Sequence, residues 1–234
     1  MILDWTIIFV IPPMILSLWA SNKVKSNYMK YSRVRSRRGM SGAQVAAALL
    51  SVNGIKDVKI ERTKGQLTDH YDPRTKTVRL SEGIHDSSSL AALSVAAHEV
   101  GHAVQHNQNY GPLALRASLV PMANLGTSAG VWLFMIGMFM ASFAQSPFGS
   151  GIMLIGILMF AAAVAFQLVT LPVEFNASNR AMQMLADNNF LENDEIRPAK
   201  KVLDAAALTY IAAAATAMAQ LLRFVFIFMN RRRR

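Results

Sequence analysis

The segment His98-Glu99-Val100-Gly101-His102 sets two imidazoles four residues apart, with a carboxylate next to the first. On a helix that spacing puts both histidines on one face, about one turn or 6 Å apart along the axis. Both rings can then reach a single Zn²⁺ at about 2.0–2.1 Å. Glu99 is rotated by about 100° from His98, so it flanks such an ion without ligating it. From there it can take a proton from a water activated by the metal and later pass it to a leaving amine. The bland alternative is a set of helix residues that satisfy one another. The preceding run LAALSVAA (90–97) marks a mostly buried helix, where His and Glu need partners and a metal supplies them.

Two histidines leave a third ligand to find. The chain has no Cys, which excludes a thiolate metal site, a disulfide scaffold and a Cys nucleophile. His106 continues the i, i+4 series, but it stands about 12 Å along the axis from His98, too far for one ion to bind both. A metzincin pattern needs a His where Gln108 stands. A carboxylate or His from a distant segment remains, and Glu174, at the head of EFNASNRAMQML (174–185), is the candidate. Its competing role is an interfacial carboxylate or a charge near a helix N-terminus.

The elements that must carry these residues are largely apolar. Of 234 residues 53% are hydrophobic and 16% charged, and the mean hydropathy is +0.27. A soluble globular chain carries roughly a quarter charged residues, so an ordinary soluble enzyme is disfavoured and a disordered chain excluded. Residues 2–20 contain one charge, Asp4, and have Trp5 and Trp19 near their ends, as an interfacial aromatic pair would be placed. Pro12 and Pro13 predict a kink. No basic n-region precedes the run and a basic stretch follows it, so it reads as a retained anchor rather than a cleaved signal. Uncharged runs from about Leu119 to Ala144 and from about Gly151 to Leu171, joined by QSPFGS (145–150), read as a transmembrane hairpin. The run Ala205 to Met229, interrupted by Gln220 and Arg223, either spans or lies against the bundle or interface.

The net charge of +10 is concentrated in two places. Residues 23–40 hold seven basic groups and no acid, and the chain closes on Arg231–Arg234. Nucleic-acid binding is one reading of the first cluster. Directly after an anchor, a cytoplasmic juxtamembrane segment facing anionic lipid is simpler. That puts the N-terminus outside, residues 22–118 in the cytoplasm, the 145–150 loop outside, and Glu174 back on the side of His98 and His102. Four arginines outside oppose this scheme if the fourth run spans.

The expected architecture is an α-helical integral membrane protein carrying a small α+β cytoplasmic domain. It comprises an anchor (1–21), the domain with the His98–His102 helix (22–118), the hairpin (119–172), a helical segment with Glu174 (173–204), and the Ala-rich run with its basic tail (205–234). Ser41 caps a helix that stops before Asn53-Gly54. Val58–Ile60 reads as a strand, Leu67–Leu80 as a β-hairpin turning at Asp72-Pro73, and Ser88 or Ser89 to His106 as the active helix.

These motifs together resemble the neutral zinc metallopeptidases of the YugP type. More distantly they are similar to the HtpX-type membrane peptidases and the gluzincins. The resemblance runs through LTDHYDPRTKTVRLSEGIH (67–85), AAHEVGHAVQH (96–106) and LPVEFNASNRA (171–181). It implies a zincin-like catalytic domain in a bacterial cell membrane and one Zn²⁺ per chain, held by His98, His102 and Glu174 with water in the fourth position. It also implies Glu99 as general base and a polypeptide substrate. Gluzincins often have an Asp four residues after the Glu ligand that hydrogen-bonds a ligating His; here that position is Ser178. The resemblance further implies that the strand Thr77, Val78, Arg79 and Leu80 offers an edge to substrate. For the oxyanion donor, His70, Tyr71, His85, Asn124 and Arg180 stay open. A site-2-type intramembrane protease fits less well, because Asp204 is followed by Ala205-Ala206 rather than Gly. A non-catalytic zinc scaffold would want four protein ligands. Oligomer formation or membership of a larger membrane protease complex is left open.

Overall fold

The computed structural model describes residues 5–143 and 146–232. Asp4, Ala144, Gln145, Arg233 and Arg234, on which parts of the topological reading fall, lie outside the described residues. The chain is mostly helical and divides into two compact units. One comprises residues up to Trp19, Leu115–Leu171 and Thr209 onward; the other comprises Ala20–Ala114 and Pro172–Leu208.

The second unit carries the sheet and the His98–His102 motif. After a 3₁₀ turn at Trp5–Phe9, helix α1 runs Ile11–Tyr31, and α2 follows at Gly42–Val52. Ser41 caps α2 as expected. Its hydroxyl accepts from the Gln44 N–H and its own N–H donates to Gln44 Oε1, a reciprocal capping box. Strands β1 (Lys59–Thr63), β2 (His70–Asp72) and β3 (Thr77–Ser81) form a sheet ordered β1-β3-β2 among the described residues. β2 and β3 are the expected antiparallel hairpin, and β1 lies parallel on the far side of β3. A one-turn helix α3 (Glu82–His85) leads to α4, Leu90–Asn107. Ser89 caps α4, its hydroxyl accepting from the Ala92 N–H. The core packs Val45 and Leu49 of α2, Val78 and Leu80 of β3, and Leu93, Ala96 and Val100 of α4 against Ala181 and Leu185. Nearly every residue of α4 up to Gln105 is buried, because helices cover one side and the sheet covers another.

The central position of β3 corrects the expectation of a substrate-binding edge at Thr77–Leu80. Thr77, Val78 and Arg79 pair with β1 on one side and β2 on the other, and Leu80 pairs with Arg62. At Thr77–Arg79, paired on both sides, the backbone has no free side for an added strand, and Leu80 pairs on the β1 side alone. The free edges of this sheet are the outer sides of β1 and β2.

The first unit is apolar. Helix α5 (Gly111–Leu125) passes through one π-helical turn, Gly126–Gly130, into α6 (Val131–Ser142). Helices α7 (Gly149–Asp187) and α8 (Asn193–Arg232) complete the chain. Four segments of the described residues are long and apolar enough to cross a membrane: Trp5–Tyr31, Gly111–Ser142, Gly149–Asp187 and Asn193–Arg231. The fourth run therefore lies within one continuous helix of spanning length. Phe134 stacks on Phe224 at 4.1 Å, with Phe160 edge-on to the same ring. Within this unit Trp5 and Phe9 pack on Phe226, and Arg223 Nε donates to Thr6 Oγ1. Arg231 donates to the Met138 carbonyl and to Ser142 Oγ. The start of the described chain, the end of α6 and the last turns of α8 thus lie at one end of the unit.

Candidate metal centre

Helix α7 does not stop where the apolar run does. It continues through Pro172 to Asp187, so Glu174 sits on a helix that packs directly on α4. The two helices come very close at Gly101, where an added Cβ would lie 2.6 Å from the carbonyl oxygen of Ala177. Only Gly allows backbones this near one another. The approach brings Glu174 and Ser178, one turn apart on α7, up to the two histidines of α4.

His98 Nε2 lies 3.3 Å from Glu174 Oε2, and His102 Nε2 lies 3.6 Å from the same oxygen. One ligand atom from each of the three residues falls within 4.8 Å of the others. A tetrahedral ion with bonds of about 2.0–2.1 Å separates its ligand atoms by roughly 3.3–3.4 Å. Two imidazoles and a carboxylate at these separations fit zinc in donor type and spacing. Glu174 is 2% exposed and Glu99 7%, so both carboxylates are held out of bulk water. Burial opposes a charge on His102, but the hydrogen bond to Glu174 and the charges of Glu99 and Glu174 outweigh it and raise its pKa. The carboxylates of Glu99 and Glu174 favour positive charge at this ring, which a metal ion would also supply.

The outer contacts hold the rings. Ser178 Oγ is 3.2 Å from His98 Nδ1, so the residue standing where gluzincins often have Asp does reach a histidine of the pair. His102 Nδ1 is 3.0 Å from Oε1 of Gln105, which is fully buried. Gln105 Nε2 donates to the Val173 carbonyl and to Asn176 Oδ1. Arg180 Nε also donates to Asn176 Oδ1, and another guanidinium nitrogen of Arg180 donates to Gln108 Oε1. Sequence reasoning missed Gln105 and Asn176. The signal for Gln105 was present: it follows His102 by three residues on a buried helix, on the same face.

Of the other residues singled out, only Arg180 joins this network. His106 Nδ1 bonds the Tyr71 hydroxyl at 2.8 Å and is not among the three clustered residues. Burial, with Asp57 and Asp72 nearby, pushes Tyr71 up to about 12. His70 is exposed and bonded to the Thr68 carbonyl, and His85 is bonded to Asp86. Asn124 belongs to α5 in the apolar unit. Arg180 is engaged with Asn176 and Gln108.

Comparison with known proteins decides the family. The model of the family described as "Putative neutral zinc metallopeptidase" matches residues 6–229. The chain belongs to this family. A curated relative from Bacillus subtilis (strain 168), named "Putative membrane protease YugP", is 49% identical over 217 residues, which is 93% of each chain. No solved structure matches. The family match takes in the two histidines of α4, Glu174 and all four apolar helices.

Proposed function

We propose that the chain is a membrane-embedded zinc endopeptidase that cleaves polypeptides, membrane or misfolded proteins among them, at the cytoplasmic face. The observation that carries the reading is the convergence of His98 Nε2, His102 Nε2 and Glu174 Oε2, with Glu99 buried beside them. These three residues would hold one Zn²⁺. Bound there, zinc supplies Lewis acidity that polarises a peptide carbonyl and makes water nucleophilic near neutral pH. Three protein donors leave a coordination position open, as catalysis needs and a structural site does not.

The chain's own residues do the rest. Glu99, on the turn between the two histidines, takes the proton of the attacking water and returns it to the departing amine. Its low exposure keeps competing water away from the carboxylate. Ser178 and Gln105 hold the two rings by their Nδ1 sides, which leaves Nε2 of each ring toward Glu174. The four apolar helices would anchor the protein, and the basic stretch 23–38 supports the reading that the unit bearing the site faces the cytoplasm.

The test compares purified wild type with Glu99→Gln on a casein-type substrate, with zinc content measured for both. Glu99→Gln is expected to keep its zinc and lose about 10²–10⁴-fold in rate. Equal hydrolysis by both at equal zinc content would overturn the assignment. No hydrolysis by either, with zinc bound, would point to a scaffold that keeps zinc for structure.

A further inference from the structure

We infer that Gln105 is a positioning residue that fixes which nitrogen of His102 carries hydrogen and ties that ring to the helix supplying Glu174; this rests on the metal-site reading above. The chemistry follows from donor and acceptor inventory. The Val173 carbonyl accepts only, so the Gln105 group facing it at 2.8 Å must be the amide nitrogen. The guanidinium of Arg180 donates only, so the Asn176 atom it meets at 2.7 Å is the oxygen, and that oxygen also receives the second hydrogen of Gln105 Nε2 at 3.0 Å. Both donors of the Gln105 amide are thereby used on α7. A flipped amide would set oxygen against two acceptors in a site with no exposure.

Gln105 Oε1 therefore faces His102 Nδ1, and a carbonyl oxygen can only accept. In neutral His102 the hydrogen sits on Nδ1, and Nε2 keeps its lone pair on the side of Glu174, 3.6 Å away. The two acceptors that orient the amide, Val173 and Asn176, flank Glu174 in sequence. One buried side chain thus sets both the tautomer of one ligand and the register of the helix carrying another. Ser178 cannot do the same for His98, because a hydroxyl both donates and accepts.

Three variants and one spectroscopic measurement on the full-length protein in detergent test this. Gln105→Met keeps the volume and removes the acceptor. Gln105→Glu keeps an acceptor toward His102 at the cost of the two donors. Zinc affinity, read by competition with chelators, is expected to fall about 10–100-fold in Gln105→Met and to recover in part in Gln105→Glu, which keeps the acceptor toward His102 but loses both ties to α7. A packing role predicts the reverse order, since Met buries well and a buried carboxylate does not. That reverse order, or wild-type affinity in Gln105→Met, would overturn the proposal. His102→Ala reports on the metal-site reading itself, since unchanged zinc binding there would sink that reading alone. Nitrogen NMR of labelled histidine in the metal-free protein, at a pH high enough that His102 is neutral, then still decides the role of Gln105. An Nδ1–H form of His102 supports it, and an Nε2–H form contradicts it.

Discussion

Individual side chains carry the metal reading by their separations. The distances of 3.3 and 3.6 Å from Glu174 Oε2 to the two Nε2 atoms lie close to the edge of a zinc tetrahedron. Much of this set was legible in the sequence, because a four-residue spacing of histidines on a buried helix admits few other uses. Glu174 was reached through its place at the end of an apolar run. Gln105 had a signal in its spacing from His102, but its link to Asn176, and that of Arg180 to Gln108, were not legible, since these contacts join residues about 70 positions apart with no periodic signature. Ser178 offers a direct check. It is a neutral partner for His98, weaker than a carboxylate. Ser178→Ala is expected to lower zinc affinity about tenfold and Ser178→Asp to raise it, measured by chelator competition.

Two helices set the geometry within the site-bearing unit. Helix α4 presents His98, Glu99 and His102, and α7 presents Glu174 and Ser178 across the contact at Gly101. On an isolated helix Gly→Ala would stabilise by roughly 0.5–1 kcal/mol. Here the new methyl would meet the Ala177 carbonyl oxygen at 2.6 Å, well inside normal contact. Overpacking of that kind costs about 1–3 kcal/mol, so the collision wins. Gly101→Ala is expected to lower the Tm and to weaken zinc binding, because α7 must move away from the histidines. An unchanged Tm with full zinc affinity would show that the helices are not so tightly apposed. The hairpin and both Ser-capped helices were readable from turn residues and alternation. The place of β3 between β1 and β2 was not, because pairing order depends on contacts that local pattern does not encode.

For the molecule as a whole, the two charge clusters raise one question of topology. Within the apolar unit Trp5 and Phe9 pack on Phe226, Thr6 accepts from Arg223, and Arg231 bonds the last turn of α6. The first described residues and the last turns of α8 therefore share one end of the unit. Sequence alone left the fourth run undecided, since Gln220 and Arg223 break its apolar character; the pairing of Arg223 with Thr6 shows how that charge is accommodated. In intact cells or sealed vesicles, epitope tags at the two ends are expected to show the same protease accessibility. Opposite accessibility would contradict the four-helix arrangement. With the N-terminus outside, as the basic stretch 23–38 favours and the terminal arginines oppose, both tags are accessible from outside the cell.

X-ray absorption at the zinc edge reads the ligand set of the bound ion itself. On purified protein with one zinc per chain, it is expected to show four nitrogen or oxygen neighbours at about 2.0–2.1 Å. The outer-shell signature should be that of two imidazoles, and it should fall to one imidazole, or the metal be lost, in His98→Ala. A spectrum without imidazole scattering, or one unchanged by His98→Ala, would contradict the account.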